Sequence, residues 1–117
     1  MTPELAALGL DEVSRIRFLN DRLRTTGAGG QIFVTCGIFS LPEHDQVCIM
    51  ERVRTFDAFS EDNDPHHEHD FGAFTYAGRE IFWKIDYYDP SMEFCSEDPS
   101  DNEATIRVLT VLFADEY

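Results

Sequence analysis

Two runs rich in aromatic and β-branched residues, Phe71–Tyr76 and Glu80–Tyr88, flank Ala77-Gly78, and that combination specifies a β-hairpin. A strand turns alternate side chains to opposite sides. In the second run Ile81, Trp83, Ile85 and Tyr87 therefore share one face, and Phe82, Lys84, Asp86 and Tyr88 share the other. The first row is the better core candidate, so the rest of the chain has to supply a layer that covers it.

Two segments offer that layer. From Asp11 to Arg24 the apolar residues Val13, Ile16, Leu19 and Leu23 recur at helical spacing, with Asp11 placed to cap the start and Gly27 to end it. Its outer face carries Arg15, Arg17, Arg22 and Arg24 beside Glu12 and Asp21, which reads first as a solvated face and second as a surface for the acidic half of the chain. Gly27, Gly29 and Gly30 then lead into an alternating strand, Gln31–Ile38. Ser40-Leu-Pro-Glu43 has the spacing of a capping box and predicts a second helix, with Val47, Met50, Val53 and Phe56 as its buried stripe.

Asp57–Asp70 breaks every period and reads as a long loop anchored by Phe59 and Phe71. After the hairpin, Asp89-Pro90 and Asp98-Pro99 bracket a further loop, and Ser100-x-x-Glu103 repeats the capping-box spacing before Ile106, Leu109, Leu112 and Phe113, which predicts a closing helix. The expected architecture is α+β in the order αβαββα: one small domain over residues 1–117, with a mainly antiparallel three-stranded sheet covered by helices and residues 1–10 as a flexible N-terminus.

Charge is more informative in its placement than in its total. Of the net −14, residues 1–60 contribute little, with eight acids against six bases, whereas residues 61–117 carry fifteen acids against Arg79, Lys84 and Arg107. Such a field repels phosphate backbones and attracts cations or basic protein surfaces, so direct nucleic-acid binding is disfavoured. No stretch approaches the roughly 20 apolar residues of a membrane span, and the N-terminus lacks the pattern of an export signal. Cys36, Cys48 and Cys95 form no CxxC pair and are odd in number, which suits free thiols in a reducing cytoplasm.

Asp62-Asn63-Asp64-Pro65, Glu68-His69-Asp70-Phe71-Gly72, Phe82–Asp89 and the closing Arg107-Val108-Leu109-Thr110 together resemble the bacterial family of proteins of unknown function numbered 3768. The similarity runs from about Ile16 to Tyr117, and several separated motifs in one order make it specific. The acidic positions and His69 fit the family's pattern, while His67 stands where a small residue is usual. The resemblance implies a bacterial protein, largely from proteobacteria and often plasmid-borne, and brings no activity or catalytic residue to transfer.

The densest chemistry lies in Asp62–Asp70. Asp64, Glu68, His69 and Asp70, with Asp86 from the hairpin, are the residue types that zinc, manganese or iron accept, and a metal-bound water beside a spare carboxylate would make a small hydrolase or nuclease-like enzyme. The spacing matches neither HExxH nor a calcium loop, and Asn63, Asp64, Glu68, His69 and Asp70 can equally satisfy local backbone groups. No cofactor other than such a divalent metal is expected. Lys84, the one base in its strand, reads as the ion-pair partner of Glu80 or Asp86.

The first-ranked expectation is a binding module. Asp62, Asp64, Glu68, Asp70, Asp89 and Glu93, interleaved with Phe74, Tyr76, Tyr87, Tyr88 and Phe94, would engage a basic protein surface, with carboxylates steering encounter and aromatics anchoring it. A nucleic-acid-binding groove blocked by phosphate-like charge is one such surface, and the plasmid setting implied by the resemblance points to an inhibitor or anti-defence role.

Overall fold

A computed structural model describes residues 11–117; the expectation of a flexible segment at residues 1–10 lies outside the described residues. Helix α1 (Glu12–Thr26) starts where Asp11 accepts the Ser14 amide at 2.7 Å and stops at Gly27, whose φ of 80° is open to glycine. Ile16, Leu19 and Leu23 of the expected stripe are buried, Val13 in the first turn is 41% exposed, and Asn20 and Arg24 are buried as well. Arg24 is thus not part of a solvated face: its Nη1 donates to the carbonyls of Val53, Arg54 and Phe56, at 3.0, 3.1 and 2.9 Å.

Strand β1 is shorter than its alternation predicts, Gln31–Val34. Thr35 ends it by capping a one-turn helix α2 (Cys36–Phe39), and the Glu116 carboxylate holds that corner through the Thr35 hydroxyl at 2.7 Å. Helix α3 (Glu43–Arg54) follows, but the Ser40 box does not form, because the Ser40 hydroxyl donates to the Cys36 carbonyl at 2.7 Å and leaves Pro42 at the helix entrance. The buried stripe is rotated accordingly. Ile49 and Val53 are buried, Met50 and Phe56 pack at the margin, and Val47 is 61% exposed.

The hairpin forms as expected from β2 (Phe71–Tyr76) and β3 (Arg79–Tyr88). Ala77 and Gly78 have φ of 51° and 80°, the double left-handed geometry that matches the twist of a tight hairpin. Ile81, Trp83 and Ile85 are buried on one face with Tyr87 at its end, and on the other face Lys84 pairs with Asp86 at 3.0 Å.

The closing segment is a strand, β4 (Ile106–Phe113), not a helix. It lies between β3, antiparallel, and β1, parallel, giving a four-stranded mixed sheet in the order β1-β4-β3-β2. Six of its eight residues are buried, so apolar side chains face both ways and the pattern contains helical spacing by coincidence; Val108, Thr110 and Val111 carry the β-branched signal. The Ser100 box is replaced by turns in which Asp98 accepts the Ser100 amide at 3.1 Å and Asp101 the Glu103 amide at 3.0 Å. Among the described residues the corrected order is αβααβββ, closed by a 3-10 turn at Ala114–Glu116. Leu23, Ile38, Ile49, Val53, Trp83 and Leu109 meet in the core.

Candidate functional site

The 57–70 loop is tied down by rings and by one histidine. Phe59 stacks flat on His69, centroids 3.7 Å apart, and meets Trp83 edge-on. His69 takes a left-handed φ of 55°, its amide donates to the buried Asp64 carboxylate at 3.0 Å, and its ring stands between two acids, Nδ1 at 2.8 Å from Asp21 and Nε2 at 3.6 Å from Asp64. Asp62 remains exposed, while Asn63 turns back to the Ala58 carbonyl at 2.9 Å.

Glu68 belongs to a different cluster. Its carboxylate accepts the Tyr87 hydroxyl at 2.8 Å, and Asn20 Nδ2 donates both to that Tyr87 oxygen at 2.7 Å and to the Glu68 carbonyl at 2.9 Å. Asn20 Oδ1 in turn accepts from Arg107 Nε at 2.6 Å. Arg107 is fully buried, lies 5.1 Å from the Tyr87 ring centroid, and donates to Asn102 Oδ1 at 2.6 Å and to the Pro99 carbonyl. Burial pushes this guanidinium down to about 10, still charged at neutral pH. Desolvation likewise holds the Tyr87 hydroxyl well above its ordinary range.

Asp70 and Asp86 line a cavity of about 480 Å³ with Tyr87, Tyr88, Cys95 and Ser96. Burial, and then the charge of Glu68, raises the Asp70 carboxyl above its ordinary value. A carboxyl raised by folding contributes its stability below the ordinary carboxylate range and loses it as pH climbs through the folded value. Asp70→Asn is therefore expected to raise the melting temperature at pH 7, with the gain over wild type closing as pH falls toward the ordinary aspartate range; thermal melts across pH 3.5–8 measure it.

Asp64, Glu68, His69, Asp70 and Asp86 are thus distributed over three environments. Among the described residues no group of three or more His, Cys, Asp or Glu is placed to hold a metal ion. Of the residues assigned to a partner surface, Tyr76 is committed to Asp45 through a 2.7 Å hydrogen bond that lifts its pKa, and Tyr87 points inward. Tyr88 lies on the other face of the sheet and bridges to Cys95.

Asp89 organises the turn that follows, accepting the Ser91 hydroxyl at 2.7 Å and the Glu93 and Phe94 amides at 3.2 and 3.3 Å. The Ser91 bond leads the effects that hold its pKa low. That turn displays Glu93, Glu97, Met92 and Phe94, the last 69% exposed, over a recess of about 360 Å³ lined by Asp89, Pro90, Phe94, Cys95, Glu97 and Ala104.

Sequence reasoning missed Asn20, Asp21 and Arg107, whereas Phe94 was among the anchoring aromatics it expected. A lone arginine inside Ile106–Phe113 and an asparagine between Leu19 and Leu23 were the available signals, since a polar residue on an apolar face needs a buried partner.

These features define a class: a small α+β domain whose mixed sheet is pinned at one end by a buried arginine network and rimmed there by carboxylates. No helix among the described residues is long and apolar enough to cross a membrane. The chain belongs to the family described as Protein of unknown function (DUF3768), which it matches over residues 34–116. No curated protein and no solved structure matches it.

Proposed function

We propose that the chain is an acidic protein-binding module that docks on a basic surface of a partner protein. The observation that carries this reading is the Asp89–Glu97 turn, where Phe94 stands exposed between Glu93 and Glu97, with Met92 exposed before them, on a backbone fixed by Asp89. Aromatic anchors supply affinity, and surrounding charge steers encounter and rejects acidic competitors. The exposed Asp62 and the excess of acids in residues 61–117 extend the same field, and it disfavours direct contact with nucleic acid. A nucleic-acid-binding protein whose basic groove is occupied by this rim fits the chemistry, which would make the module an inhibitor. Free thiols at Cys36, Cys48 and Cys95 suit a reducing cytoplasm.

The test begins with affinity capture and mass spectrometry to identify a basic partner, followed by titration with the purified pair. Phe94→Ala is expected to weaken binding by roughly tenfold or more, as for an anchoring aromatic. Glu93→Gln with Glu97→Gln is expected to slow association and flatten its dependence on salt. Binding that ignores both changes, and that persists undiminished in high salt, would rule the reading out.

A further inference from the structure

The two edges of the sheet are treated differently. On β2 the Thr75 carbonyl faces away from β3, and Arg52 covers it, with Nη1 3.5 Å from that oxygen and the guanidinium 4.7 Å over the Phe74 ring. Such a charged cover blunts an edge against further pairing. On β1 nothing comparable stands among the described residues. Thr35 donates its amide to Val111 on β4, so by alternation Phe33 also turns its backbone to β4, while Ile32 and Val34 turn theirs to the open side. Ile32 and Phe33 are 39% and 51% exposed, and the strand contains no lysine, proline or bulge.

The open edge continues into an apolar groove. Ile32 meets Met50 and Arg54 in a recess of about 220 Å³, which passes along α3 into a second of about 410 Å³ floored by Val47 and Met50 and bordered by Glu43, Glu51 and Arg54. Phe39, on the turn after β1, is also exposed. Charge separates this end from the Asp89–Glu97 end. Residues 1–60 are close to balanced, and the groove's rim sets Arg54, paired with Glu51 and still half exposed, beside Glu43, so both signs are available to the same groups of a second copy across a two-fold axis. A uniformly acidic surface would repel its own copy.

We propose that the β1 edge and the α3 groove form the interface of a two-fold homodimer, in which β1 pairs antiparallel with β1 of a second copy. An axis through Phe33 pairs Ile32 with Val34 of the second copy in both directions, satisfies the outward backbone groups, and sets the two Phe33 rings against each other across the strands. The result is one continuous eight-stranded sheet in which each acidic turn follows β3, two strands away from the paired β1 strands.

Sedimentation velocity of the full chain over a concentration series reads this directly. A reversible monomer–dimer equilibrium is expected, with the dimer fraction rising along the series. Ile32→Lys and, separately, Val47→Glu lie at exposed positions and should leave the circular dichroism spectrum and melting transition in place while shifting the protein to monomer, by about tenfold or more in Kd. Phe94→Ala should leave the dimer unchanged, which separates this surface from the partner-binding turn. A chain that stays monomeric at all concentrations, or a dimer untouched by both variants, would overturn the proposal.

Discussion

Arg107→Ala is expected to cost about 3–5 kcal/mol of folding stability, the range for breaking a buried charged network from one side, and urea unfolding followed by circular dichroism measures it. The side chain is fully buried and serves three acceptors at once, Asn20, Asn102 and the Pro99 carbonyl, while its plane lies against Tyr87. Removing it leaves those acceptors in a dry interior without donors, and it leaves Glu68 without the nearby positive charge. Arg107→Lys should lose much of the same stability, because a single ammonium cannot reproduce a planar fork reaching three directions. Arg107→Met combined with Asn20→Leu should be less damaging than the sum of the two single changes, since each removes a group that the other would leave unpaired. Additive losses would mean that the network contributes through packing alone.

Gly72→Ala is expected to cost about 3 kcal/mol, the upper part of the range for overpacking a core. A Cβ at this position would sit 2.3 Å from the Trp83 ring nitrogen and 2.6 Å from the adjoining ring carbon. The indole cannot retreat, because it is fully buried, with Phe56 and Phe59 edge-on against it and Arg24 over its face. Trp83→Phe removes the ring nitrogen that the methyl would strike and should restore part of the loss in the double variant. A double-mutant cycle in thermal or urea unfolding gives the coupling, and a coupling near zero would place the strain in the β2 backbone rather than in the ring contact.

The hairpin and α1 were legible because each uses one face, so its apolar residues keep a clean period. β4 was not, since a strand sandwiched between neighbours and buried on both sides has no polar beat, and Ile106, Leu109, Leu112 and Phe113 fall on helical spacing within a nearly continuous apolar run. The two capping boxes failed for a common reason. Ser40 and Ser100 each donate the hydroxyl to a nearer acceptor, the Cys36 carbonyl and the Asp98 carboxylate, instead of serving a helix amide. In the site, the acidic loop could be located from composition, but the division of labour within it could not. His69 bonds to Asp21 and Glu68 to Tyr87 and Asn20 across 48 or fewer positions of chain, and nothing local in the sequence encodes those pairings. The β1 edge was hidden for the opposite reason: exposure is a property of what fails to cover a strand.

The position of β4 also governs the order in which this protein can assemble on the ribosome. It is the last strand in the chain and yet lies between β1 and β3. While residues 106–113 are still in the exit tunnel, the emerged part of the described residues holds a hairpin and three helices but no sheet that unites them, and β1 waits more than seventy residues for the strand it pairs with. Folding of this domain therefore waits for β4 to emerge, and a chain stalled before Ile106 presents Trp83, Ile85 and the apolar face of α1 to solvent, a form suited to chaperones and proteases.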